Sequence, residues 1–327
     1  MTTTWYRRGT ARVFNADYPA TDSGPRLFMF ETDFARGLRG EPRTRYDRAR
    51  REIAALSSEL FSRPDAPLLL HASLNAAADA LAELVAGQSA GDAARLARAL
   101  VTPYQPLADR LVFDAGVRLL RRRDISPAIE MFRLLLEYAP QSPLAPEAAW
   151  RMVLARIASG DREAALDLAR AVDEQFGPGA PWHDRRGSTA DAAPWAAGLA
   201  GARGANEARR LALRLLRDAY AADETTDPAR LANAEYAARR LLDTTRDDGD
   251  RRAEWLALGH LSWRQGKRDE ARAAYANAAL SEPDDEIRRA ALAGLAASAL
   301  PDAARVAAAL RGDPLLGVYV APLLREP

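Results

Sequence analysis

Helical periodicity runs through almost the whole chain, and it constrains the fold more than any other feature. Alanine, leucine and arginine recur in amphipathic runs of roughly 12 to 20 residues, and Pro, Gly and Asp separate these runs. Alternation typical of β-strands is nearly absent. The pattern predicts an all-α protein built from stacked helical hairpins. Helices are expected near residues 43–62, 66–86, 91–101, 105–121, 127–139, 146–158, 161–176, 205–222, 228–243, 252–265, 268–281, 285–299 and 301–311.

Composition excludes several classes of protein. The chain has no cysteine, which rules out disulfides, thiolate metal sites and a cysteine nucleophile. Its 46 basic and 45 acidic residues leave a net charge of +1, so the basic field of a nucleic-acid binder is missing. No apolar run of membrane-spanning length occurs, and no apolar run follows the first two arginines as in a secretory signal. We therefore expect a cytoplasmic protein, or a periplasmic or cell-envelope protein if a signal peptide has been removed.

One stretch carries small and large apolar residues at fixed intervals: Trp255, Leu258, Gly259, Gly266, Ala271, Tyr275, Ala278 and Pro283. The small residues Gly259 and Ala271 allow two helices to cross closely, and Tyr275 fills the space around the crossing. This spacing resembles the tetratricopeptide repeat, a helix-turn-helix unit of 34 residues, and only Ser262 departs from it. The resemblance implies an α-helical solenoid whose first helices face a concave groove.

Other stretches repeat the pattern with substitutions. A second copy contains Gly116, Ala128, Phe132 and Pro140, and in it Arg123 replaces the turn glycine. A third copy contains Gly160, Asp161 and Ala165, with Val153 and Ala169 in place of the usual glycine and aromatic residue. Residues 205–243 are a candidate fourth copy, marked by Ala232 and Tyr236. The linker at residues 138–148 is similar to that of a tetratricopeptide subfamily of bacterial cell-envelope coordinators, including the Tol–Pal system.

The chain therefore divides into five predicted regions. They are an aromatic-rich N-terminal segment (1–40), a helical N-terminal region (41–104), tetratricopeptide-like repeats (105–178), a Gly/Pro/Ala-rich insertion (179–204), and C-terminal repeats with capping helices (205–327). Seven of the first 34 residues are aromatic, which is unlike a disordered tail. Two interpretations stay open for this segment: it caps the array, or it docks on a partner.

Motifs of enzyme chemistry are missing from the sequence. There is no Gly-rich phosphate loop with a lysine, no zinc-protease helix, no nucleophile elbow and no dinucleotide fingerprint. We expect His71 at the core or its boundary, and Arg121, Arg122 and Arg123 to offset the dipole at the end of a first helix. The sequence predicts no enzyme, cofactor or metal site, and the open alternative is an active site assembled from distant carboxylates or arginines.

The resemblance also indicates which side chains line the groove. These positions are mostly apolar, and they are Arg110, Phe113, Val117, Leu120, Trp150, Leu154, Ile157, His260, Trp263 and Arg264. The carboxylate clamp of chaperone adaptors requires cationic and amide side chains there, so this chain departs from it. We expect a hydrophobic groove covered by residues 1–40 or by an apolar partner segment, or a tight superhelix without a ligand.

These observations predict a non-catalytic scaffold or adaptor that binds a protein or peptide through the groove. The alternative of the same fold is an envelope-associated assembly factor. No nucleic acid and no membrane span are expected.

Overall fold

A computed structural model describes residues 35–62, 67–101, 107–180, 182, 204–222, 227–245, 247–280 and 286–297. These residues contain no strand, and their long helices are α1 (Gly40–Ser62), α2 (Pro67–Val85), α3 (Ala90–Leu100), α4 (Ala108–Arg121), α5 (Ile125–Tyr138), α6 (Ala145–Ala158), α7 (Arg162–Phe176), α8 (Ala205–Ala221), α9 (Pro228–Thr244), α10 (Asp248–Arg264), α11 (Arg268–Ala279) and α12 (Glu286–Ala297). The all-α prediction is confirmed for this part of the chain.

The predicted helices agree closely with the observed ones. Every predicted helix between residues 43 and 299 ends within four residues of its observed bounds. The predicted helix 301–311 lies outside the described residues, as do residues 1–34 of the aromatic segment and residues 183–203 of the insertion.

Neighbours in the chain are also neighbours in space. Consecutive helices pack against each other from α1 to α2, from α4 through α7, and from α9 through α12. Further contacts join second neighbours, α2 with α4, α3 with α5 and α10 with α12. This pattern of first and second neighbours is consistent with a repeat-like all-α fold.

The chain forms two compact units, which we describe separately. The N-terminal unit extends to Ala212 and the C-terminal unit begins at Leu213, so the division falls within α8. Alanine and leucine dominate the N-terminal core, where Leu111, Leu119 and Phe132 are fully buried. In the same unit, Arg209 of α8 binds Asp173 of α7 at 2.5 Å, and both side chains are buried.

The core of the C-terminal unit lies between α10, α11 and α12. Its buried residues are Ala271, Tyr275, Ala278, Ala279, Ala291, Leu292 and Leu295, with Trp255 and Leu256 packed against them. A β-carbon at Gly259 would lie 2.5 Å from the Tyr275 ring, and one at Gly294 would lie 2.6 Å from it. The ring therefore occupies a slot between two glycines, and the close crossing predicted at Gly259 is confirmed.

The same contact recurs in the N-terminal unit. A β-carbon at Gly116 of α4 would lie 2.8 Å from the ring of Phe132 in α5. Real β-carbons essentially never approach other atoms so closely, so only glycine fits against the ring. In both hairpins the glycine precedes its aromatic partner by sixteen residues.

Candidate functional site

Three hairpins, α4–α5, α6–α7 and α10–α11, are joined by turns of one geometry. Each turn contains one residue in the left-handed region: Arg123 (φ 64°), Gly160 (φ 79°) and Gly266 (φ 73°). The residue after it donates its N–H to the carbonyl five residues earlier, in the pairs Asp124–Leu119 (3.0 Å), Asp161–Arg156 (3.0 Å) and Lys267–Ser262 (2.9 Å). These bonds form the Schellman motif, which ends a helix and satisfies its last carbonyls.

The backbone after each turn is also the same. The φ and ψ angles of the following residue are −81° and 72° at Asp124, −84° and 74° at Asp161, and −81° and 70° at Lys267. Five residues after each left-handed residue comes a buried alanine: Ala128, Ala165 and Ala271. Positions in the three hairpins can therefore be compared one by one, counted from the left-handed residue.

Exposed apolar side chains gather at two of these equivalent positions. Three residues before the left-handed residue stand Leu120, Ile157 and Trp263, and six residues before it stand Val117, Leu154 and His260. The exposed fractions are 41% for Leu154, 45% for Ile157 and 37% for Trp263. In the described residues only one other large apolar side chain, Leu280, is exposed to this degree. The last turns of α6 and α10 thus present apolar surface to solvent, whereas Val117 and Leu120 of α4 are only partly exposed.

An open cleft lies at this place in the N-terminal unit. It has a volume of about 580 Å³ and is lined by Leu120, Arg123, Ile125, Leu154, Ala155 and Ala158. The structure therefore brings together two predicted groove residues, Leu120 of α4 and Leu154 of α6. Ile157 is exposed on the same helix as Leu154. Arg123 is the only one of these lining residues with a polar side chain.

Two predicted groove residues do not face solvent. Phe113 and Trp150 are each only 7% exposed. The Phe113 ring packs edge-on against Phe132 with 5.8 Å between ring centroids, and the Arg151 guanidinium lies 5.5 Å from the centre of the Phe113 ring. Neither side chain is therefore open to solvent, and Phe132 of α5 and Arg151 of α6 pack against Phe113. Arg110, a third predicted residue, is partly buried and binds Asp114 at 2.9 Å.

The predicted residues of the C-terminal unit are all exposed, and each has a partner. His260 Nδ1 lies 3.0 Å from the Tyr275 hydroxyl. Desolvation lowers the pKa of His260 and raises that of Tyr275. The Arg268 guanidinium lies 5.8 Å from the centre of the Trp263 ring, and Arg264 donates to the Ala221 carbonyl at 2.9 Å. These contacts hold the predicted side chains in place on the exposed face of α10.

Four residues of the cleft were missed by the sequence analysis. They are Arg123, Ile125, Ala155 and Ala158. The sequence pattern predicts Arg123 only as a replacement for the turn glycine and as a charge at a helix end. The sequence does contain an indication that Arg123 is unusual, because only the first of the three turns carries three consecutive arginines.

Other candidate chemistry finds no support in the described part of the chain. These residues contain no cluster of three or more potential metal ligands, and none of their helices is long and apolar enough to cross a membrane. His71 is exposed on α2, contrary to the expectation of a place at the core or its boundary. Comparisons with protein-family models, curated proteins and solved structures gave no match.

Proposed function

We propose that this protein is a non-catalytic scaffold or adaptor of the tetratricopeptide type. Its first helices bind an apolar segment of a partner protein just ahead of each turn. The observation that carries this proposal is the placement of Leu154, Ile157 and Trp263, three of the four exposed large apolar side chains in the described residues. Ile157 and Trp263 stand at the same position of their first helices, three residues before the left-handed residue, and Leu154 lies one turn earlier. In a solenoid built from such hairpins, the first helices line the inner face.

The repetition argues against chance exposure. Single exposed apolar residues are common on protein surfaces, but a group of them beside a cleft marks an interaction site. The cleft beside Leu154 falls within the volume range of ligand clefts, roughly 300 to 1,000 Å³. Covering the exposed parts of Leu154 and Ile157 stabilises a complex by about 1 to 2 kcal/mol per side chain. An extended or helical segment with apolar side chains has the matching chemistry.

The proposal is tested with the double variant Leu154→Ser plus Ile157→Ser in the full-length protein. We expect this variant to recover its partners at least tenfold less well than the wild type, since both contacts are lost. Affinity purification from cells of the source organism with quantitative mass spectrometry measures the recovery. Because both residues are exposed, the fold is retained, which circular dichroism checks.

Leu280→Ser is the matched control. Leu280 is 47% exposed, as much as Ile157, but it stands at the end of a second helix, α11. The control should recover partners like the wild type. Equal recovery of the same partners by the double variant and the wild type would show that the surface ahead of the turns is not the binding site.

A further inference from the structure

We propose that the segment bound at the cleft is acidic as well as apolar, and that Arg121, Arg122 and Arg123 bind its carboxylates. This inference rests on the proposed function and adds the charge of the partner. All three arginines are exposed, and Arg123 also lines the cleft. The structure thus places positive charge at the rim of an apolar surface.

The three arginines are free to bind a ligand. Their side chains make no hydrogen bond, ion pair or ring contact with any residue that the structure describes. Nearby arginines are already paired: Arg118 with Asp79, Arg133 with Glu130, Arg151 with Glu147 and Arg156 with Asp161. The only acidic residue next to the triplet in the chain is Asp124, so two positive charges remain in excess.

The helix dipole does not account for the triplet. All three first helices end in the same Schellman turn and present the same partial negative charge there. The positions of Arg121, Arg122 and Arg123 are occupied by Ala158, Ser159 and Gly160 in the second turn and by Arg264, Gln265 and Gly266 in the third. A general need of the turn would place arginines at all three turns. The three arginines therefore serve a role that is specific to the first turn and is not capping of the helix end.

Arg123 is also held in an unfavourable backbone conformation. Its φ of 64° lies in the left-handed region, where the equivalent turns have glycine. Side chains with a β-carbon are strained there, and glycine is not. Strain of this kind persists at functional sites when the side chain has a use that glycine cannot supply. Arg123 lines the cleft, and the use that we assign to its side chain is the positive charge that it brings there.

The guanidinium groups indicate that the ligand carries carboxylates. Arginine binds carboxylates through two parallel N–H···O bonds, and these strengthen beside an apolar surface from which water is excluded. A segment with leucine-like or phenylalanine-like side chains flanked by Asp or Glu satisfies both the cleft and the triplet. A basic segment is repelled, and a neutral apolar segment leaves the arginines unpaired.

Selection from a displayed library of random peptides on the full-length protein tests this inference. We expect enrichment of peptides that combine apolar residues with Asp or Glu. The most enriched peptide is then synthesised with a fluorescent label, and its affinity is measured by anisotropy. The key variant is Arg121→Ala plus Arg122→Ser plus Arg123→Gly, which copies the residues of the second turn into the first.

The triple variant should bind the peptide at least tenfold more weakly than the wild type and lose most of the salt dependence of binding. Its midpoint of thermal unfolding should be equal or higher, since the strained residue becomes glycine. The matched control is Arg50→Ala plus Arg51→Ser on α1, where both arginines are exposed and make no side-chain contact with described residues. The control should bind like the wild type.

The outcomes separate this inference from the proposed function. If Leu154→Ser plus Ile157→Ser abolishes binding while the triple arginine variant binds like the wild type, the charge preference is wrong and the proposed function stands. Enrichment of apolar peptides without acidic residues would likewise show that the charge preference is wrong while the proposed function stands. If no peptide is enriched, or if binding is insensitive to Leu154 and Ile157, both the inference and the proposed function are overturned.

Discussion

The hairpins α4–α5 and α10–α11 have the same backbone plan in two different units. In each, a glycine of the first helix contacts an aromatic ring of the second, and the same Schellman turn joins the helices. They differ on the outside. The position six residues before the left-handed residue is Val117 in one hairpin and His260 in the other, where it contacts the Tyr275 hydroxyl.

Their turns differ as well. The left-handed residue is Arg123 in the first hairpin and Gly266 in the second. The following residue is Asp124 in the first and Lys267 in the second, where Lys267 Nζ lies 2.6 Å from the buried carboxylate of Glu235. In both hairpins the crossing and the turn set the shape. The side chains around the crossing and the turn differ between the hairpins, and they determine what each hairpin contacts.

The largest effect is expected from filling the crossings. Gly259→Val should destabilise the protein by about 3 kcal/mol, because the Tyr275 ring is held between Gly259 and Gly294 and cannot move aside. Gly116→Val should cost about 2 kcal/mol, because Phe132 meets a glycine on one side only in the described residues. Chemical denaturation followed by circular dichroism measures both changes.

Gly91→Ala in α3 is the control, because nothing lies within 4 Å of a β-carbon there. This change should leave stability unchanged or raise it slightly, since alanine favours the helix. If Gly259→Val and Gly116→Val left stability unchanged, as Gly91→Ala is expected to, the two crossings would not be close-packed.

A smaller effect is expected from exchanging the turn residues. Arg123→Gly should stabilise the protein by about 1 kcal/mol and Gly266→Arg should destabilise it by about 1 kcal/mol, because only glycine takes the left-handed conformation without strain. Thermal unfolding measures both variants, and hydrogen exchange at the amides of Asp124 and Lys267 reports on each turn. Changes of the same sign at the two turns would contradict their equivalence.

The smallest effect concerns pH and separates the two hairpins. Desolvation lowers the pKa of His260 in the folded protein below its ordinary value. The unfolded chain therefore binds more protons in the interval between the two pKa values, and stability falls as the pH falls through that interval. Wild type should lose slightly more stability between about pH 7 and pH 5 than His260→Gln does.

Denaturation at several pH values measures this difference, and Val117→Thr serves as the matched change in the first hairpin. That variant carries no added titratable group, so its pH dependence should equal that of the wild type. An identical pH dependence of wild type and His260→Gln would mean that desolvation of His260 has no consequence for stability.

Local patterns predicted much of the fold. The positions of the helices follow from amphipathic runs and their Pro, Gly and Asp boundaries, since both act over a few residues. The contact of Gly259 with Tyr275 also followed from spacing, because a fixed turn brings residues sixteen apart to one crossing. The same spacing at Gly116 and Phe132 predicted the second crossing.

The candidate site was harder to predict. Phe113 and Trp150 fit the spacing of groove residues, yet both are buried, and contacts from α5 and α6 cover Phe113. Leu154 and Ile157 have the same apolar character and are exposed. Spacing assigns a residue to a face of its helix, but it does not tell how far the next helix covers that face.

The helices, the turns that pair them and the small residues at their crossings follow from the order of the amino acids, because they depend on local propensity and on fixed intervals along the chain. Which apolar side chains are exposed, and that Arg123 borders the cleft, became known from the packing of the helices. Exposure depends on the packing distances between helices, and those distances result from contacts among residues far apart in the sequence.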